Sequence, residues 1–223
     1  MNKSYSNMDP AISDYVCELY AREEAPMKEI RMRAAKAGLP DIHVSMMDGL
    51  HLEILARASG AKKAVEVGTL AGYSGVCIAR ALPGNGKLYT FEYEPRHAEV
   101  ARETFKKAGV SNKVQILVGT ALKNLKKIES KGPFDFMFID ADKVSYHAYL
   151  DWAAKNLRVG GVFAADNTFG FGFIAKPEKI NDGWRAENVR ALRKFNEIVA
   201  RHPRFRTTIL PTGEGLTAGV KVR

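Results

Sequence analysis

Lys63-Ala-Val-Glu-Val-Gly-Thr-Leu-Ala-Gly-Tyr-Ser-Gly75 is the stretch whose reading decides the fold. Its first five residues form a short β-rich run, and the glycines then turn the chain into a helix read over 74–82. The same alternation continues downstream. Residues 87–91 read as a second strand, followed by a helix over 95–108. Residues 114–118 are a third strand, with a helix over 121–128. Residues 134–139 are a fourth strand, mostly apolar, as a parallel strand covered on both faces should be. A helix over 146–157, a fifth strand over 160–165 and a basic helix over 188–201 complete the alternation. Residues 206–210 and 216–222 flank Pro211-Thr-Gly-Glu-Gly215, a hairpin signal. Strand–helix units in series require a parallel sheet with right-handed crossovers. The expected fold is α/β: a doubly wound, mostly parallel, seven-stranded sheet closed by an antiparallel C-terminal hairpin.

Upstream of the decisive stretch the pattern is helical. Asp9-Pro10 is a cap and first-turn pair, and Ile12, Tyr15, Val16, Leu19 and Tyr20 share one helical face. Pro26 starts a second helix that ends near Gly38-Leu39-Pro40, and a third runs over 46–59 to Gly60. Residues 1–60 are therefore read as a helical cap on one domain spanning 1–223. A chain of 223 residues with 46% hydrophobic and 26% charged residues is ordinary for a globular protein. It excludes a disordered tail, a collagen-like repeat and a disulfide miniprotein. Cys17 and Cys77 are the two cysteines, too few for a thiolate metal site and in keeping with a reducing compartment. The first ten residues are polar, with no secretory leader, and no apolar run approaches the ~20 residues of a membrane span. A cytoplasmic protein without a membrane partner is expected.

The net charge is +9, with the first 60 residues slightly acidic and the surplus carried by the rest. Such a surplus attracts nucleic acid or an anionic small substrate, but a solvated basic face is the plainer reading. No run of five like charges occurs, and basic and aromatic residues do not alternate as in a single-strand groove.

In doubly wound sheets ligands bind outside the carboxyl ends of the strands, so the residues after each strand are the informative ones. Gly68, Gly72 and Gly75 do not form G-x-G-x-x-G, because Thr69, Leu70 and Ala71 separate the first two. That spacing points to an adenosine ligand without a diphosphate, although a plain strand-to-helix turn has the same look. Glu92, directly after the second strand, suits both ribose hydroxyls; Glu94 is the plainer competitor. Asp140-Ala-Asp-Lys143 follows the fourth strand and Asp166-Asn167 the fifth. If these strands are neighbours, about 4.8 Å apart, Asp140, Asp166 and Asn167 converge as oxygen donors for a hard divalent ion such as Mg²⁺. Each acid alone could equally cap a helix. Lys143 sits near a helix start, where the helix dipole disfavours a cation; that is useful in a base.

Val65-Glu-Val-Gly-Thr-Leu-Ala-Gly-Tyr-Ser74, Phe138-Ile-Asp-Ala-Asp-Lys143 and Ala164-Ala-Asp-Asn167 together resemble the cation-dependent O-methyltransferases, the family of catechol and caffeoyl-CoA O-methyltransferases and their bacterial relatives. Arg22-Glu-Glu-Ala-Pro-Met-Lys-Glu-Ile-Arg31 is similar to the caffeoyl-CoA branch, and Leu210-Pro-Thr-Gly-Glu-Gly-Leu216 also fits. The resemblance implies a Rossmann-like methyltransferase fold, S-adenosylmethionine as methyl donor, a divalent cation and a homodimer. It implies cofactor contacts at Val44, Glu66, Gly68, Thr69, Ser74, Glu92, Ala121, Asp140 and Asp142. Asp140, Asp166 and Asn167 would ligate the metal, and Lys143, with Asp140, would be catalytic. Two departures stand out. Glu92 replaces the aspartate of many bacterial members, and Thr168-Phe-Gly-Phe-Gly-Phe173 is unusually aromatic.

The function expected is methylation of a hydroxyl on a small catechol-like or caffeoyl-type aromatic acceptor. Phe169, Phe171, Phe173 and Trp184 are read as walling the acceptor pocket or, equally, as ordinary packing. The alternative is a tRNA hydroxyuridine-type O-methyltransferase, motivated by Arg190, Arg193, Lys194, Arg201, Arg204 and Arg206. A non-catalytic adenosine-ligand binder is the third reading, and the intact oxygen-donor set speaks against it.

Overall fold

The computed structural model describes residues 9–20 and 23–223. The polar opening segment 1–8, and Arg22 of the stretch similar to the caffeoyl-CoA branch, lie outside the described residues. Three helices come first: α1 (Pro10–Tyr20), α2 (Ala25–Lys36) and α3 (Met46–Ala58). Alternation follows through β1 (Lys63–Val67), α4 (Tyr73–Ala81), β2 (Lys87–Glu92), α5 (Pro95–Lys107), β3 (Val114–Val118), α6 (Ala121–Ile128), β4 (Phe134–Ile139), α7 (Tyr146–Asn156) and β5 (Leu157–Ala165). Then come α8 (Gly183–Ala200), β6 (Phe205–Leu210) and β7 (Leu216–Lys221). The seven strands lie in the order β3-β2-β1-β4-β5-β7-β6. The first five are parallel, and β7 inserts antiparallel between β5 and β6.

Strand alternation sorts the apolar side chains onto two faces. Ala64, Leu88, Phe136, Phe138, Val162 and Ala164 pack with residues of α2 to α5. Val65, Val67, Phe91, Met137, Ile139 and Phe163 pack with residues of α6 to α8. Burial of each such phenylalanine contributes roughly 1.5–3 kcal/mol. Three sequence expectations shift. β5 begins at Leu157, three residues earlier than expected, because the strand carries an irregularity against β4 in which Gly160 adopts φ +78°. α8 begins at Gly183 rather than 188, because the Asp182 side chain accepts the Arg185 N–H at 2.7 Å and caps it. The apolar face of α1 is present, but none of its residues is buried: Ile12, Tyr15, Leu19 and Tyr20 are exposed.

The carboxyl ends of β1 and β4 are pressed together. A Cβ on Gly68, which has φ +103°, would lie 1.9 Å from the Asp140 carbonyl oxygen. Gly68→Ala is therefore expected to destabilise the fold by about 3 kcal/mol or more, lowering the melting temperature by roughly 10 °C. A calorimetric scan checks this; a melt within 2 °C of the parent, taking ~2 °C as scan scatter, would contradict the close approach.

Candidate active site

Four strand ends converge at one edge of the sheet, where backbone hydrogen bonds continue past the strands. The Gly68 N–H donates to Phe91 O at 3.0 Å, the Asp140 N–H to Val67 O at 2.8 Å, the Asp166 N–H to Ile139 O at 3.0 Å and the Gly119 N–H to Glu92 O at 2.8 Å. Ile139 pairs with Ala165, so Asp140 and Asp166 leave the sheet side by side, as their placement after neighbouring strands suggested.

Beneath the glycine loop, Glu66 is fully buried. The Ser74 hydroxyl donates to its Oε1 and the Thr90 hydroxyl to its Oε2, each at 2.6 Å, and the Thr69 and Thr90 hydroxyls share a hydrogen bond at 2.5 Å. Thr90 sits directly across the β1–β2 ladder from Glu66. Burial, partly offset by these hydroxyls and reinforced by Asp140 and Glu92, pushes the Glu66 carboxyl up to about 7. Glu92, at the end of β2, accepts the Leu70 N–H at 2.7 Å and the Glu94 N–H at 2.9 Å, with His97 Nδ1 at 3.4 Å. Leu70 holds φ +47° to make its bond. A carboxylate offers about four lone-pair sites, so Glu92 keeps capacity for a ligand. Glu94 instead sits at the N-cap position of α5, exposed. Val44 is buried, and its carbonyl accepts from Arg31 at 2.8 Å. Ala121 opens α6 after Gly119, whose φ is +110°.

On the acidic side, Lys143 is buried in a 3-10 turn (Lys143–Ser145) that leads into α7. Its Nζ donates to Asp140 Oδ1 at 3.0 Å and to the Tyr146 hydroxyl at 2.7 Å. Asp166 is buried; its Oδ1 accepts the Asn167 N–H at 2.7 Å, and Asn167 itself adopts φ +57°. Burial and the charge of Asp140 raise the Asp166 carboxyl to about 8. Asp142 is exposed and accepts the Tyr149 hydroxyl at 2.7 Å. Asp48, whose charge also acts on Asp166, is buried in the first turn of α3 with one carboxylate oxygen unpartnered. Among the described residues no three His, Cys, Asp or Glu side chains converge closely enough to hold a metal by themselves.

The aromatic segment after Asn167 does not form one wall. Phe169 packs onto the hairpin turn, where a Cβ on Gly215 would touch its ring at 2.6 Å. Phe171, at φ +56°, stacks on the exposed Trp184 with centroids 5.8 Å apart, and Arg185 lies 5.6 Å from the Phe173 ring.

The chain has clear relatives. A family model described as O-methyltransferase matches residues 17–222. The chain belongs to the O-methyltransferase family. A catechol O-methyltransferase of Niastella koreensis is 38% identical over 90% of this chain and 89% of its own length. A caffeoyl-CoA O-methyltransferase of Eucalyptus gunnii is 34% identical over 93% and 86%. An O-methyltransferase from Bacillus cereus, solved in complex with SAH, superposes with a TM-score of 0.83 at 35% identity, covering 95% of this chain and 97% of that one.

This O-methyltransferase also has site residues that the sequence reading passed over. Thr90 was legible only through strand register, and Tyr146 and Tyr149 only through knowing how the turn at 143–145 enters α7.

The raised Glu66 carboxyl has a consequence for stability. Between its unfolded value near 4.5 and about 7 the folded state holds more protons than the unfolded state, so this group lowers stability as pH rises through that window. Glu66→Gln removes the dependence. In paired thermal melts the variant should gain about 2–3 kcal/mol on the parent between pH 5 and pH 8. An offset constant with pH would contradict the assignment.

Proposed function

We propose that this O-methyltransferase moves the methyl group of S-adenosylmethionine to one hydroxyl of a catechol-like or caffeoyl-type acceptor, with a divalent cation held by Asp140, Asp166 and Asn167. The observation that carries the reading is the buried Lys143 ammonium at 3.0 Å from Asp140, beside a second aspartate on the adjoining strand end. The donor set fits a hard cation such as Mg²⁺: two carboxylates and an amide, all oxygen, with no histidine among them. Burial first, and then the charge of Asp140, raises the Asp166 carboxyl, a cost that a cation between the two acids would offset. Relatives named catechol and caffeoyl-CoA O-methyltransferase, and a neighbour crystallised with SAH, support the donor and acceptor classes.

When bound, the donor supplies an electrophilic methyl on a cationic sulfur, and the cation supplies Lewis acidity and a common anchor for two vicinal oxygens. The chain's own residues do the rest. Glu92 accepts the ribose hydroxyls with the lone pairs that Leu70 and Glu94 leave free. Gly68, Thr69 and Ser74 shape the loop beside it, over the Glu66 carboxyl; Val44, Ala121 and Asp142 are the remaining donor contacts. Lys143, as the free amine left once its ammonium has released a proton to solvent, takes the proton of the hydroxyl that is methylated, and Asp140 both orients that lysine and would ligate the cation. Phe171, stacked on Trp184, flanks the acceptor ring. The protein's main contribution is holding the two reactants in line.

Labelled S-adenosylmethionine tests the reading, with a catechol/caffeate mixture and undermodified tRNA offered in parallel, each with Mg²⁺ and with EDTA. Label should enter the phenols, vanish with EDTA and return with excess Mg²⁺, and Asp166→Ala should lower kcat at least ~100-fold. EDTA-resistant label would overturn the cation. Label in tRNA alone would overturn the acceptor class; Arg190, Lys194, Arg201 and Arg206 are exposed, and RNA binding through them would weaken steeply with salt. Phe171→Ala should raise the KM for catechol several-fold, leaving the KM for the donor unchanged. An unaltered catechol KM would remove Phe171 from the acceptor side.

A further inference from the structure

We infer that Tyr146 is a positioning residue for Lys143: its hydroxyl ties the lysine to the ends of the two strands that carry the aspartates. The inference rests on the proposed role of Lys143 as the base.

The Tyr146 side chain is wholly buried, and its ring packs edge-on against Phe195 of α8 with centroids 5.3 Å apart. Three groups meet its hydroxyl. Lys143 Nζ donates to it at 2.7 Å, while Asp166 O and Ile139 O stand 3.1 and 3.3 Å away as acceptors. An ammonium has only donors, so the phenolic oxygen must receive from Lys143, and its single proton must turn toward the two carbonyls. With the lysine protonated, its resting form, the direction of every bond is determined. Ile139 ends β4 and Asp166 follows β5, so one oxygen joins the lysine to both strand ends. The same lysine lies 4.8 Å from the centre of the Tyr146 ring.

The geometry separates this role from a structural one. Lys143 has a long side chain with four rotatable bonds, and it is held at two points, Asp140 and Tyr146. Asp140 is itself assigned to the cation, which leaves Tyr146 as the neutral holder whose position does not depend on what Asp140 binds. The turn from Lys143 to Ser145 brings residue 146 back under residue 143, and α8 braces the ring from the other side. Loss of the hydroxyl leaves the ring, the Phe195 contact and the donor side of the site untouched, but frees the lysine tip to swing.

Tyr146→Phe removes that one oxygen. The expected result is a kcat for catechol at least about tenfold lower, with the KM for S-adenosylmethionine within about twofold of the parent. A second readout needs neither donor nor cation. In nitrogen-15 spectra of lysine ammonium groups at low temperature, the Lys143 signal is protected by burial and by two acceptors. It should be present in the parent, absent in Lys143→Met and lost or broadened in Tyr146→Phe. Phe195→Leu, which loosens the ring while keeping the hydroxyl, should lower kcat by less, and it carries the test if Tyr146→Phe does not fold. If Lys143→Met turned over like the parent, the base assignment would fall and the inference with it. If Lys143→Met were inactive while Tyr146→Phe kept both the parent kcat and the ammonium signal, the inference alone would be overturned.

Discussion

The parallel ladder runs one residue past the strands, and the site depends on that extension. Asp140, Asp166 and Gly119 each donate their N–H to the carbonyl that ends a neighbouring strand, and Gly68 donates to that of Phe91, the last but one residue of β2. A residue just beyond a strand normally belongs to a loop with freedom of its own. Here it is held at sheet spacing, so the side chains of Asp140 and Asp166 inherit the rigidity of β4 and β5. The contact between Gly68 and the Asp140 carbonyl adds a steric condition, since only a residue without a side chain lets the first and fourth strand ends close up. Preorganisation of this kind lets a few hydrogen bonds and charges act without rearrangement when a ligand arrives.

That rigidity concentrates negative charge. Glu66, Glu92 and Asp166 are buried and Asp140 is half-buried at the same ends of the strands. Hydroxyls and backbone N–H groups answer part of this charge: Ser74 and Thr90 on Glu66, Leu70 and Glu94 on Glu92, Asn167 on Asp166. The remainder is visible in Glu66 and Asp166, whose carboxyls are both pushed toward neutrality by burial. Strand ends so lined favour a positively charged ligand, and a sulfonium donor is one. The overall surplus of Lys and Arg sits elsewhere, much of it exposed along α8 and β6.

Much of this was legible in the sequence. The strand over Lys63–Val67, the apolar Phe134–Ile139 run and the hairpin around Pro211 to Gly215 mark a doubly wound sheet closed by an antiparallel pair. The neighbouring placement of Asp140 and Asp166 was legible too, since position after a strand is a property of sequence once the strand is recognised. Strand register and the path of short turns were not legible. Thr90 becomes the partner of Glu66 only when Lys63 pairs with Lys87, and nothing local specifies that pairing. Tyr146 looked like the opening residue of an ordinary helix, because a three-residue turn that folds the ring under Lys143 has no marker of its own. Phe169 was grouped with Phe171 and Phe173 by spacing, yet it packs against Gly215, 46 residues away in the chain. The α1 face had the right period, but amphipathicity predicts a buried face only when something lies against it.

The placement of β7 between β5 and β6 has a consequence for how the sheet can close. Until Leu216–Lys221 are in place, the outer edge of β5, the strand that leads into Asp166 and Asn167, has no neighbour. β6 exists but has nothing to pair with, because its only partner in the sheet is β7. Without those six residues the sheet keeps an open strand edge beside Asp166 and Asn167. One short strand covers that edge and pairs β6 as well, lying between two strands that both precede it in the chain.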